Sequence, residues 1–142
     1  MRPIPGQRAI EAILVVALVI DVAYWAIWFT DRTWLASERR AAYYEFENAF
    51  PLADLWLAVA CVLALVTLRR RSEQALFWLL AGGGAGLYLG CMDLLYDLEH
   101  GIFAKGAGGA TEAVIVLLTF AFSITLLTWT WRHRRQLLTP AV

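Results

Sequence analysis

Apolar and polar positions in this chain alternate on the scale of whole helices. Residues 10–29, 51–68, 75–98 and 110–131 are four runs rich in Leu, Val, Ile, Ala, Phe and Trp, separated by stretches where arginines, acids and glycines collect. A hydrocarbon core of roughly 30 Å is crossed by about 20 residues of helix, so each run is about long enough to span it. The pattern predicts an all-α, single-domain integral membrane bundle of four transmembrane helices.

The connection 30–50 is too long for a tight turn. Ser37 is placed to cap a short helix through ERRAAYYEFENAF, and Pro51 suits the first turn of the second spanning helix. A short interfacial helix is therefore expected in this first outer loop. If its phase continues, Tyr43, Glu47 and Phe50 fall in line with Asp54, and Glu45 lies off that line. The connection GIFAKGAGGA is glycine-rich and reads as mobile. Thr111 is expected to cap the fourth helix, leaving Glu112 in its first turn.

The third run carries the most specific pattern. Gly82, Gly86, Gly90, Asp93, Asp97 and His100 follow one another at steps of three or four, so they share one helical face. The glycine half is a small-xxx-small ladder for close packing, either within the chain or with a second copy in a homo-oligomer. The other half presents DxxxD with Tyr96 and His100 beside it, groups able to divide acid and base roles.

Composition confirms the class and limits the partners. At 61% hydrophobic and 17% charged, the chain lacks the polar surface a soluble domain needs. Arginines gather before the first run (Arg2, Arg8), between the second and third (Arg69, Arg70, Arg71) and after the fourth (Arg132, Arg134, Arg135). That asymmetry places both termini in the cytoplasm, in a plasma or inner membrane. The first run is too long for a signal peptide, holds Asp21 and ends in YWAIWF, so it is expected to remain. The basic residues sit mainly at cytoplasmic helix ends, where they anchor topology, so the lipid bilayer is the expected partner and nucleic acid is not. Cys61 and Cys91 form no CxxC and read as packing residues.

The remaining acids lie deep in apolar runs, where they are costly and tend to be functional. Asp21 shares a face with Trp25 and Trp28; Asp54 follows Pro51 by one turn, with Trp56 nearby. With this orientation Asp21, Glu47, Asp54, Asp93, Asp97, His100 and Glu112 all fall in the outer half, while Glu11 and Glu73 are the acids of the inner half. An outward-facing acidic pocket walled by Trp25, Trp28, Trp56 and Tyr96 is thus favoured over a channel. The DxxxD spacing is similar to the metal-diphosphate motifs of membrane prenyltransferases and alcohol phosphotransferases, but the second acidic motif is absent and the helices are too few. In architecture alone, the bundle resembles sterol isomerase-like membrane proteins, where acids move protons on an apolar substrate.

Three functions fit these residues. The first is acid/base chemistry on a lipophilic small molecule, with Asp93 as acid or base and Asp21 or Asp54 as its counterpart. The second is a scaffold in which polar groups fix helix packing, and the third is divalent-cation binding or transport. The residues specify no cofactor and no definite metal set.

Overall fold

The computed structural model describes residues 4–139, so Arg2 lies outside the described residues. Five α-helices follow one another: α1 (Gln7–Asp31), α2 (Ala41–Glu47), α3 (Pro51–Arg69), α4 (Gln74–His100) and α5 (Gly106–Leu137). Short 3-10 turns, Arg32–Trp34 and Ile102–Ala104, follow α1 and α4, and no strand occurs among the described residues. Four helical stretches, with α2 and α3 counted together, are long and apolar enough to cross a membrane. All four expected runs are found, each extended by one or more residues.

What buries the helices also explains their order. α4 lies between α3 and α5 and packs extensively on both, whereas α1 leans mainly on α3 and touches α5 only lightly. The glycine ladder makes this possible. A methyl group at Gly86 would lie 2.6 Å from Ser123 Oγ, and one at Gly83 2.8 Å from Leu127 Cγ, so the backbones of α4 and α5 meet where side chains would keep them apart. Gly82 faces Ala60 and Cys61 of α3 and Leu126 of α5, and Gly90 faces Thr119 and Phe120. Within the chain, the ladder packs against α5 and α3.

Away from these seams the surface is apolar. Val15, Val16, Val19, Ile20 and Val22 of α1 and Val114, Leu117 and Leu118 of α5 are exposed, the arrangement expected of helices whose outer faces meet lipid. At the end holding both termini, Trp129 Nε1 donates to the Pro5 carbonyl at 2.9 Å, and Arg69 pairs with Glu11 at 3.3 Å.

Three local expectations are corrected. Ser37 does not cap α2: the N-cap is Arg40, in extended conformation, and the Ser37 side chain turns toward α5 instead. Thr111 does not cap the last helix, which begins five residues earlier at Gly106; its hydroxyl donates back to the Ala107 carbonyl at 3.1 Å. Nor is GIFAKGAGGA a loose loop. Gly101 and Gly106, at φ of 60° and 62°, are left-handed and bracket the 3-10 turn Ile102–Ala104 with its buried Ile102, and residues 106–110 begin α5. Gly109 packs so closely on the Ile102 carbonyl that no larger residue fits.

The joint between α2 and α3 keeps helical phase. Asn48 N–H bonds the Tyr44 carbonyl, Phe50 N–H that of Glu47, and Asp54 N–H that of Phe50. Tyr43, Glu47 and Phe50 are accordingly buried along one line and Glu45 is exposed, as the spacing predicts.

Candidate functional site

The end of the bundle that carries α2 gathers the last turns of α1, the start of α3, the end of α4 and the start of α5. Aromatic side chains fill it. Trp28, Tyr43 and Ile102 form a buried cluster against Tyr24, Trp25, Tyr44 and Tyr96. Phe46 stacks on Tyr96 with ring centroids 3.8 Å apart, and the ring of His100 stacks on Tyr96 at 4.1 Å. These rings supply rigid apolar walls, and the polar tips of Tyr24, Trp25 and Tyr43 point at acids.

Three of the acids, Glu47, Asp54 and Glu112, meet a donor from another element. Tyr24 O–H donates to Glu47 Oε2 at 3.0 Å, joining α1 to α2. The Trp25 indole N–H donates to Asp54 Oδ2 at 2.9 Å, and that of Trp28 to Asn48 Oδ1 at 3.1 Å. Tyr43 O–H donates to Glu112 Oε1 at 2.8 Å and itself accepts from Ser37 N–H at 3.4 Å. The Ser37 hydroxyl lies 2.8 Å from the same Glu112 oxygen and 3.2 Å from the Gly108 carbonyl, with one proton to give. Glu112, 6% exposed, is thus a buried hub rather than a helix-capping acid.

One acid is left short of partners. Asp97 is 4% exposed, yet its Oδ2 has no hydrogen-bond partner, and neither has the buried hydroxyl of the adjacent Tyr96. Buried polar atoms are nearly always paired, so each of these orphans marks a place where the fold leaves hydrogen-bonding capacity unused. Asp93, one turn away and half-buried, lies within electrostatic reach of Glu47, Asp54, Asp97 and Glu112. Asp21 sits near Asp54 with Trp25 between them. No Lys or Arg comes within salt-bridge range of these acids among the described residues; the ion pairs of this end are Glu38 with Arg40 and with Lys105, the latter at 2.9 Å. That pairing holds the Glu38 carboxyl near 2, well below its ordinary range.

The structure therefore brings together Glu47, Asp54, Asp93, Asp97, Glu112, Trp25, Trp28 and Tyr96, with Asp21 at the edge. It leaves Trp56 outside and holds His100 at the edge, within electrostatic reach of Asp97. His100 is exposed at the rim, its Nδ1 against the Tyr96 carbonyl at 2.9 Å. Trp56 faces away, packs near Trp78, and lines an apolar groove of about 360 Å³ between α3 and α4 with Ala53, Leu80, Gly84 and Tyr88. Tyr24, Ser37 and Asn48 were not expected and are integral. Tyr24 lies one turn before Trp28 on the face that reads Asp21, Trp25, Trp28, and that periodicity is the signal that points to it.

Among the described residues no three His, Cys, Asp or Glu side chains converge in an arrangement able to hold a metal ion. Comparison with protein-family models, with curated proteins and with solved structures finds no match for this chain.

Proposed function

We propose that this chain is a membrane-embedded acid/base enzyme of isomerase, cyclase or hydrolase type, acting on a lipophilic substrate at the carboxyl cluster of the α2 end. The observation that carries this reading is the unpaired Asp97 Oδ2, buried on α4 one turn from Asp93 and within its electrostatic reach. A carboxyl with a free oxygen in a low-dielectric site can give or take a proton from a bound molecule without first breaking an internal bond. Asp93 and Asp97 are the exchanging pair, while Tyr24, Tyr43 and Trp25 hold Glu47, Glu112 and Asp54 in place around them. In an isomerisation one carboxyl adds a proton and a neighbouring carboxylate removes one, so the site ends with the protons it began with. Trp28 and Tyr96 supply the apolar walls. The arginines at the opposite end support reading the termini as cytoplasmic, in a plasma or inner membrane; on that reading α2 lies at the outer interface and the site faces outward.

A scaffold role is the second reading, favoured by the hydrogen bonds that tie Glu47, Asp54 and Glu112 to other elements and by the absence of acids from the groove lined by Trp56. Native mass spectrometry of gently extracted protein separates the two. The enzyme reading expects a co-purifying lipid-like molecule that is lost in Asp93→Asn or Asp97→Asn. No adduct in any of the three proteins, with unchanged oligomer and stability, would leave the scaffold reading in its place.

A further inference from the structure

The buried carboxyls are covered by two connections that hold each other. Residues 35–40 lie across the start of α5, where a Cβ on Gly108 would sit 3.0 Å from Ser37 Cα and 3.4 Å from its Cβ. Ile102 is buried against Trp28 and Tyr43, with Leu35 and Ala36 packed partly on the same cluster, and the remaining contacts across the seam are polar. The Ser37 hydroxyl reaches Gly108 and Glu112, Lys105 Nζ reaches Glu38 at 2.9 Å, and Arg40 holds the same Glu38 from the other side. Glu38 and Lys105 are only partly buried, so water competes for their ion pair and its strength is small. Beneath them Glu47, Asp97 and Glu112 are buried. A closed acid cluster under a cover held in part by polar contacts is the arrangement expected of a region that opens locally while helices α3, α4 and α5 stay packed.

We propose that residues 35–40 and 101–108 form a strap, clasped by Glu38, Lys105, Ser37 and Gly108, whose opening admits a ligand to the buried carboxyls. Its purpose rests on the reading of the cluster as a ligand site. Its motion is measurable without a substrate.

The experiment is carboxyl labelling of the purified full chain with a water-soluble carbodiimide and an amine ester, read peptide by peptide. Glu45 and Glu99 are exposed and serve as internal references. Glu38→Gln and Lys105→Gln unclasp the strap and raise labelling of Glu47 and Asp97 relative to Glu99 by about two- to fivefold, the range a weak ion pair allows. The cross-linked pair Ser37→Cys with Gly108→Cys does the reverse. A shift of a few tenths of an ångström brings the two Cβ atoms into disulfide range. With that bond formed, labelling of Glu47 and Asp97 falls by about tenfold or more and returns on reduction.

Equal labelling in oxidised and reduced forms, or unchanged ratios in both Gln variants, overturns the strap. Failure of the disulfide to form overturns the close approach on which it stands. If gating is seen but no lipid-like molecule co-purifies, the strap survives and the enzyme reading does not.

Discussion

Single residues decide how closely α4 approaches its neighbours. Gly84 and Gly86 are two positions apart on the same helix, yet their surroundings are opposite: a Cβ on Gly86 meets Ser123 Oγ at 2.6 Å, while one on Gly84 meets nothing within 4 Å. Gly86→Ala is therefore expected to destabilise the bundle by about 1–3 kcal/mol through overpacking. Gly84→Ala is expected to be neutral or to stabilise by up to about 1 kcal/mol, because alanine is the better helix former. Thermal unfolding of both variants in one detergent checks the contrast; equal melting temperatures would show that the ladder does not set the α4–α5 distance. Polar residues divide in the same way. Trp25→Phe keeps an aromatic ring but removes the pyrrole half and leaves Asp54 Oδ2 without its donor, an expected loss of about 1–3 kcal/mol for an orphaned, part-buried acceptor. The readout is again thermal unfolding, with Trp25→Phe compared against Asp54→Asn and the double variant, whose losses fall short of additive if the bond exists.

At the scale of elements, the connections at the α2 end hold the pH-sensitive contacts. Arg40 and Lys105 hold the Glu38 carboxyl near 2, against an ordinary value of 4.5, so the folded state binds its proton less readily than the unfolded chain does. The stabilisation this supplies is fully present above about 4.5 and is lost as pH falls through about 2. Protection of the 101–108 backbone against hydrogen exchange, after correction for intrinsic rates, is expected to decline across that window in wild type and to be lower and less pH-dependent in Glu38→Gln. An identical decline in both proteins would assign it to other acids. These connections were also the least legible part of the sequence. The buried line Tyr43, Glu47, Phe50 was readable because it repeats at helical spacing, a property of neighbours along the chain. Ser37 and Thr111 were misread because a hydroxyl before an acid satisfies a helix end equally well on local grounds. What decided otherwise was Glu112, separated in sequence and brought beside Ser37 only by the fold. The stretch 101–110 looked mobile because its glycines report conformational freedom, but Gly109 is there for lack of space.

For the whole molecule, the two ends of the bundle differ in kind, and that difference yields an expected orientation in a membrane. One end holds Arg8, Arg69, Arg70, Arg71, Arg132, Arg134 and Arg135 with Glu11 and Glu73; the other holds Arg32, Arg39, Arg40 and Lys105 among a larger number of acids. The four spans and the acid stripe on α4 were legible because hydrophobic length and helical phase are written locally. Which acids would be bonded, and that Trp56 would fall outside the cluster, depended on how α3 and α4 rotate against one another. Orientation is a separate, testable consequence of charge. In a Cys91→Ser background, Arg39→Cys and Glu99→Cys are expected to react with a membrane-impermeant maleimide on intact cells. Arg71→Cys and Thr139→Cys, at the opposite end, are expected to react only after permeabilisation. The reverse pattern would turn the carboxyl cluster toward the cytoplasm and exclude a substrate delivered from the outer leaflet. Labelling of all four from outside would mean that arginine asymmetry does not govern this chain, and the placement of α2 at the outer interface would fall with it.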